Sequence, residues 1–172
     1  MRVWYLEMRE PPAAPPPPPP AGDYRIRRIA TPDLEEYRRL YLEVGEPWRW
    51  TARRRLDDAR LAELLSHPCH ELWQVQADGR PVGFAELDRR RPDDVELVYF
   101  GLVASAIGTG AGPWFLRAIM DEMWRREETR RFWLHTCEHD HPRALAFYQR
   151  LGLELYDERM EAGPYPKHQL VW

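Results

Sequence analysis

No apolar run in this chain is long enough to cross a membrane. Its N-terminus also lacks the charged, apolar and small-residue regions of an export signal. Both absences point to a soluble cytoplasmic protein with no membrane partner. Cysteine is scarce: Cys69 and Cys137 are the only two in 172 residues. That is too few for a disulfide framework and suits a reducing compartment. Neither sign of charge is in large excess, and a formal net charge of −3 gives no electrostatic footing for a nucleic-acid partner. Two phosphate-loop signatures are missing as well. A Walker loop needs Lys-Ser/Thr after its last glycine, where Pro113-Trp114 stands instead. A dinucleotide fingerprint needs G-x-G-x-x-G after an early strand, whereas Gly108, Gly110 and Gly112 are spaced G-x-G-x-G and follow the fourth or a later strand.

What is present centres on Val95 to Arg126. An apolar run, Val95 to Val103, reads as a strand buried on both faces. The three glycines follow, then an amphipathic helix carrying Phe115, Leu116, Ile119, Met120, Met123 and Trp124 on one stripe. Glycines let backbone approach an anion, and the free N–H groups of a first helical turn point at it. Pro113 fits that turn, where no N–H is needed. The stretch is built to hold a phosphorylated cofactor.

A second stretch, Phe132 to Leu155, combines a short β-prone run with a helix start at Asp140-His141-Pro142. Ala144, Leu145, Tyr148 and Leu151 recur at helical spacing, and Gly152 stops the helix. In both stretches the chain resembles the GNAT N-acetyltransferases. Their acyl-CoA loop, Arg/Gln-x-x-Gly-x-Gly/Ala, is matched by Ile107-Gly108-Thr109-Gly110-Ala111-Gly112, with Ile107 in place of Arg or Gln. Their closing motif is matched by His141-x-x-Ala144-x-x-Phe147-Tyr148 and Gly152-Leu153, with His141 for Asn and Leu153 for Phe. The resemblance covers about Tyr24 to Trp172.

In chain order, residues 1–10 form an N-terminal arm with an extra strand around Val3 to Met8, and residues 11–22 a proline-rich spacer. Residues 23–172 are one domain. Within it, Tyr24 to Ile29 reads as a strand, and Asp33 caps a helix running to about Val44. Trp48-Arg49-Trp50 precedes a second helix, about Ala52 to Leu65. Glu71 to Ala77 and Pro81 to Asp88 form a hairpin about Asp78-Gly79. After the two motif stretches come strands near Leu153 to Arg159 and His168 to Trp172. The fold class is α/β: a mixed sheet with helices on both faces, in the order the GNAT fold uses. The arm and the two last strands offer edges on which a homodimer can pair.

The resemblance implies a transferase that moves an acetyl group from acetyl-CoA to a primary amine, on a small molecule or peptide, by direct attack and without a metal. It implies a cofactor arm bonded beside the strand near Phe100, Leu102 and Val103, a pyrophosphate on Ile107 to Gly112, and a contact from His141. Tyr148 falls on the family tyrosine that protonates the leaving thiolate; packed on the inner helix face, it would be structural. Glu96 takes the place of a general base acting through water, unless it is merely solvated at a strand start, and Glu86 is the alternate. Trp48 and Trp50 either line the acceptor pocket or fill the gap between two helices. His135, Cys137, His139 and His141 alternate, so in an extended chain they would share one face as metal ligands do, but structural zinc sites gather pairs from separate turns. Cys137 reads as core rather than nucleophile. The rival reading is a non-catalytic acyl-CoA-binding or protein-interaction module on the same fold.

Overall fold

The computed structural model describes residues 1–162. Its strands are β1 (Arg2–Met8), β2 (Tyr24–Ile29), β3 (His70–Ala77), β4 (Arg80–Asp88), β5 (Asp94–Leu102), β6 (Arg131–Cys137) and β7 (Glu154–Met160). Its helices are α1 (Leu34–Gly45), α2 (Asp58–Ser66), α3 (Ala111–Trp124) and α4 (Ala144–Arg150). The strands make one seven-stranded sheet in the order β2-β3-β4-β5-β6-β1-β7. Among the described residues only β5 and β6 run parallel. The final strand expected at His168 to Trp172 lies outside the described residues.

Two apolar clusters cover the two faces. On one, α3 packs Phe115, Leu116, Ile119, Met120 and Met123 against Leu87, Val95, Leu97 and Phe132. On the other, Tyr37, Leu40, Tyr41 and Val44 of α1 and Leu61, Leu64 and Leu65 of α2 pack against Leu72, Phe84 and Tyr99.

Local chemistry sets the boundaries. Asp33 caps α1 by accepting from Glu36 N at 2.8 Å, worth about 1 kcal/mol. The second helix starts at Asp58, later than Ala52. Asp57 captures Arg60 N at 2.8 Å and nucleates it there, while Arg53–Arg55 form a separate 3₁₀ turn. Asp78 and Gly79 have φ of 49° and 76°, the left-handed pair a two-residue hairpin requires.

The first residues are placed differently from an edge-seeking arm. β1 lies inside the sheet, paired with β6 on one side and β7 on the other. Both its edges are taken, so it offers none to a second copy. Val3 and Leu6 are fully buried. The proline spacer that returns the chain to β2 is docked: Arg117 Nη1 of α3 donates to Ala14 O at 2.5 Å, and Pro20 is buried.

Candidate functional site

The site begins where the sheet forks. β4 pairs Glu86 with Tyr99 and Leu87 with Leu97, so Val98 is an extra residue on β5, a β-bulge. A bulge bends its strand, and here β5 turns away from β6. The two pair only over Asp94 to Leu97 and Arg131 to Leu134. β6 instead continues against β1, up to Cys137 opposite Val3. A cleft of about 440 Å³ opens between the parted strands, within the usual small-molecule range of about 300–1,000 Å³. Past Leu97 the free edge of β5 has no strand partner. Its backbone can receive an extended amide-bearing arm much as it would a strand.

At one end of the cleft stand Ile107, Gly108, Gly110 and Gly112. Gly108 and Gly110 have φ of 89° and 92°, a region in which side-chain-bearing residues are strained. Among the described residues, the N–H groups of Gly108, Gly110 and Gly112 make no hydrogen bond. Gly110 is the N-cap of α3 and supplies no side-chain cap, so the first turn keeps donors for an anion. Thr109 and Ala111, expected in the cradle, turn away from it. Thr109 Oγ1 donates to Ala106 O at 2.8 Å and accepts from Ala111 N at 3.3 Å, which holds the loop's curve. Val103 is also turned away: it is buried on the α1 face, and its N–H donates to Val82 O at 2.9 Å. Phe100 and Leu102 do line the cleft, with the Phe100 ring stacked on Phe147 at 5.8 Å.

Tyr148, on α4, lines the same cleft. Burial, helped by the Asp140 carboxylate, raises its phenol well above the usual value, so at neutral pH it holds its proton. Among the described residues its hydroxyl has no hydrogen-bond partner. Cys137 also faces the cleft, and burial with Asp140 nearby pushes its thiol up to about 11. A thiol held protonated is a poor nucleophile.

The two candidate bases are separated by their surroundings. Glu86 is fully buried, accepting from Tyr37 Oη, from Arg53 Nη2 at 2.8 Å and from His70 Nε2 at 3.1 Å. Burial alone would raise its carboxyl, but Arg53 and then His70 outweigh it and pull it down to about 2. So firmly ionised and enclosed, Glu86 is a structural anchor. Glu96 is buried too and does not itself line the cleft. His135 does, and its Nδ1 lies 3.6 Å from Glu96 Oε1. His135 is the site residue that sequence reasoning missed as an acid–base group. The signal was the register: Glu96 faces Trp133 across the sheet, and His135 is two residues further along on the same side.

The other end of the cleft is closed by two loops remote in sequence. Trp50 Nε1, between α1 and α2, donates to Asp140 Oδ1 at 3.2 Å, and Trp48 packs edge-on against His141 at 5.2 Å. Asp140 Oδ2 accepts from Thr136 Oγ1 at 2.8 Å and Cys137 N at 3.0 Å. Asp140 therefore ties this loop to Trp50 and does not cap α4. His141 serves as the helix-start contact, its Nδ1 accepting from Arg143 N at 3.1 Å. Trp50 is core and lining at once. It packs on Tyr99 at 4.9 Å and still borders the cleft, as does half-buried Trp48. Among the described residues no group of three or more His, Cys, Asp or Glu is arranged to hold a metal.

The sheet is thus forked between its two parallel strands, with a glycine cradle at one end of the cleft. The model of the acetyltransferase (GNAT) family matches residues 31–153, and the chain belongs to that family. Uncharacterized N-acetyltransferases of Mycobacterium bovis and Mycobacterium tuberculosis are 32% identical to it over 106 residues, 60% of this chain and 65% of theirs. The chain thus spans less than two thirds of the length of these relatives. A tandem GNAT protein of the clavulanic acid biosynthesis pathway shares the fold at a TM-score of 0.67 and 22% identity, over 91% of this chain and 51% of that one. An aminoglycoside acetyltransferase from an uncultured soil sample does so at 0.64 and 15%, over 83% and 95%.

Proposed function

We propose that this acetyltransferase-family chain moves an acetyl group from acetyl-CoA to a primary amine by direct attack. The observation that carries the reading is the alignment of three unengaged N–H groups, on Gly108, Gly110 and Gly112, with the open edge of β5 and the Tyr148 phenol along one cleft. The donors suit a pyrophosphate, and the strand edge suits the amide-bearing arm that follows it. The cosubstrate supplies an activated thioester carbonyl.

The chain's residues supply the rest. His135, backed by Glu96, accepts the proton that the attacking amine gives up. The C–N bond forms as the C–S bond breaks, and Tyr148 delivers its proton to the departing sulfur. Cys137, held as a thiol, supports attack without an acyl-enzyme. No metal is needed for these steps.

The reading is tested by the rate of CoA thiol release when the protein is mixed with acetyl-CoA and an amine. Tyr148→Phe is expected to lower kcat by about a hundredfold or more while acetyl-CoA binding is retained. Unchanged turnover in Tyr148→Phe would remove the phenol from the mechanism. Acetyl-CoA binding with no amine turned over would favour the binding-module reading, in which Ile107 fills the place of a polar side chain.

A further inference from the structure

Resting on the acetyltransferase reading above, we infer that the acceptor is a small monoamine borne on an aromatic or similarly flat apolar body, and not a polycation. The cleft passes through the fork from the glycine loop on one face of the sheet to Trp48, Trp50 and Tyr99 on the other. The rings at that end are held in place by the backbone around them. A Cβ on Gly45 would come within 2.7 Å of the Trp50 side chain, and one on Gly101 within 3.3 Å. Both positions therefore leave room for the indole. Arg49, between the two tryptophans, is held at φ 60°, a left-handed conformation that costs a non-glycine residue energy and recurs at functional sites. This turn sets Trp48 at the rim and Trp50 against Tyr99.

Charge points the same way. Among the described residues Asp140 is the only carboxylate lining the cleft, and both its oxygens are already engaged by Trp50, Thr136 and Cys137. A polyamine or aminoglycoside would bring several ammonium groups to a surface that offers them no partner. A monoamine attacks in its neutral form and needs no counter-ion, while its ring gains edge or face contact with the indoles. Size agrees, because about 440 Å³ must also hold the acyl end of the cosubstrate.

The test compares kcat/KM at saturating acetyl-CoA for 2-phenylethylamine and tryptamine with that for spermidine, kanamycin and a peptide with a free N-terminal alanine. The arylalkylamines are expected to be used at least tenfold better. Trp48→Ala, at the rim and outside the buried cluster, is expected to raise their KM by about tenfold with little change in kcat. Calorimetry should show its acetyl-CoA affinity unchanged. Preference for spermidine, kanamycin or the peptide would overturn the inference, as would inert arylalkylamines in a protein that binds acetyl-CoA. In those cases the acetyltransferase reading survives. Failure of the wild type to bind acetyl-CoA would instead remove that reading and this inference together.

Discussion

The end of the cleft proposed to hold the cofactor is made of main chain: the N–H groups of three glycines and the open edge of β5. The end proposed to hold the acceptor is made of side chains brought from Trp48 to His141 by loops far apart in sequence. A backbone cradle depends on local geometry, which glycine spacing and one helix start are enough to specify. A wall of rings depends on how distant segments pack, and small changes at Gly45, Gly101 or Arg49 would reshape it.

The largest effect expected is on the wall that carries His135. β6 leans on β1, which is interior and brings fully buried Val3 and Leu6 into the sheet. Each such side chain is worth roughly 1.5–3 kcal/mol when buried. Deleting residues 1–10 is therefore expected to abolish cooperative thermal unfolding. A truncated protein with an unchanged melting transition would show that β1 is dispensable and that the fork stands without it.

Next comes the anchor beneath the acceptor end. Arg53→Met leaves Glu86 buried without its main partner, a loss of about 3–5 kcal/mol, and should lower Tm accordingly. The same pair sets an acid limit. Because the Glu86 carboxyl is pulled down to about 2 in the fold, its contribution to stability is fully present above its unfolded pKa near 4.5. It is lost as pH falls from there through about 2. Urea unfolding between pH 5 and pH 2 should show this fall in the wild type and a shallower one in Glu86→Gln.

The smallest effect sharpens the comparison at the cofactor end. Gly110→Val forces a β-branched residue to φ 92°, whereas a Cβ on Gly112 meets Leu102 at 3.5 Å, an ordinary contact. Acetyl-CoA binding should weaken at least tenfold for Gly110→Val and only slightly for Gly112→Ala. Equal losses at both positions would mean that the loop works by bulk and not by backbone conformation.

Much of this was legible in the sequence where the signals are local. Asp33 capped its helix, Asp78-Gly79 turned its hairpin, and the glycine loop fell between a buried strand and a helix as its spacing implied. Contacts that span the chain were not legible. The N-terminal strand's place between β6 and β7 pairs Arg2 with Met160, and Trp50 meets Asp140 across 90 positions. Asp140 belonged to a helix-start signal, yet the long-range contact claimed it. In the sequence Glu96 stood first as the base and Glu86 as its alternate. Arg53, from a 3₁₀ turn more than thirty residues earlier, decided between them. Thr109 and Ala111 fell within the motif and Val103 at the end of the strand before it, but all three point elsewhere, because a pattern names positions and not the direction each group faces.

The most direct test is calorimetric titration with acetyl-CoA, with ATP and NAD as controls, on the wild type and on Gly110→Val. Binding of acetyl-CoA alone, at one site and at least tenfold weaker in Gly110→Val, is the predicted result. No binding of acetyl-CoA, or tighter binding of ATP or NAD, would contradict the assignment of the glycine cradle and of the cleft it serves.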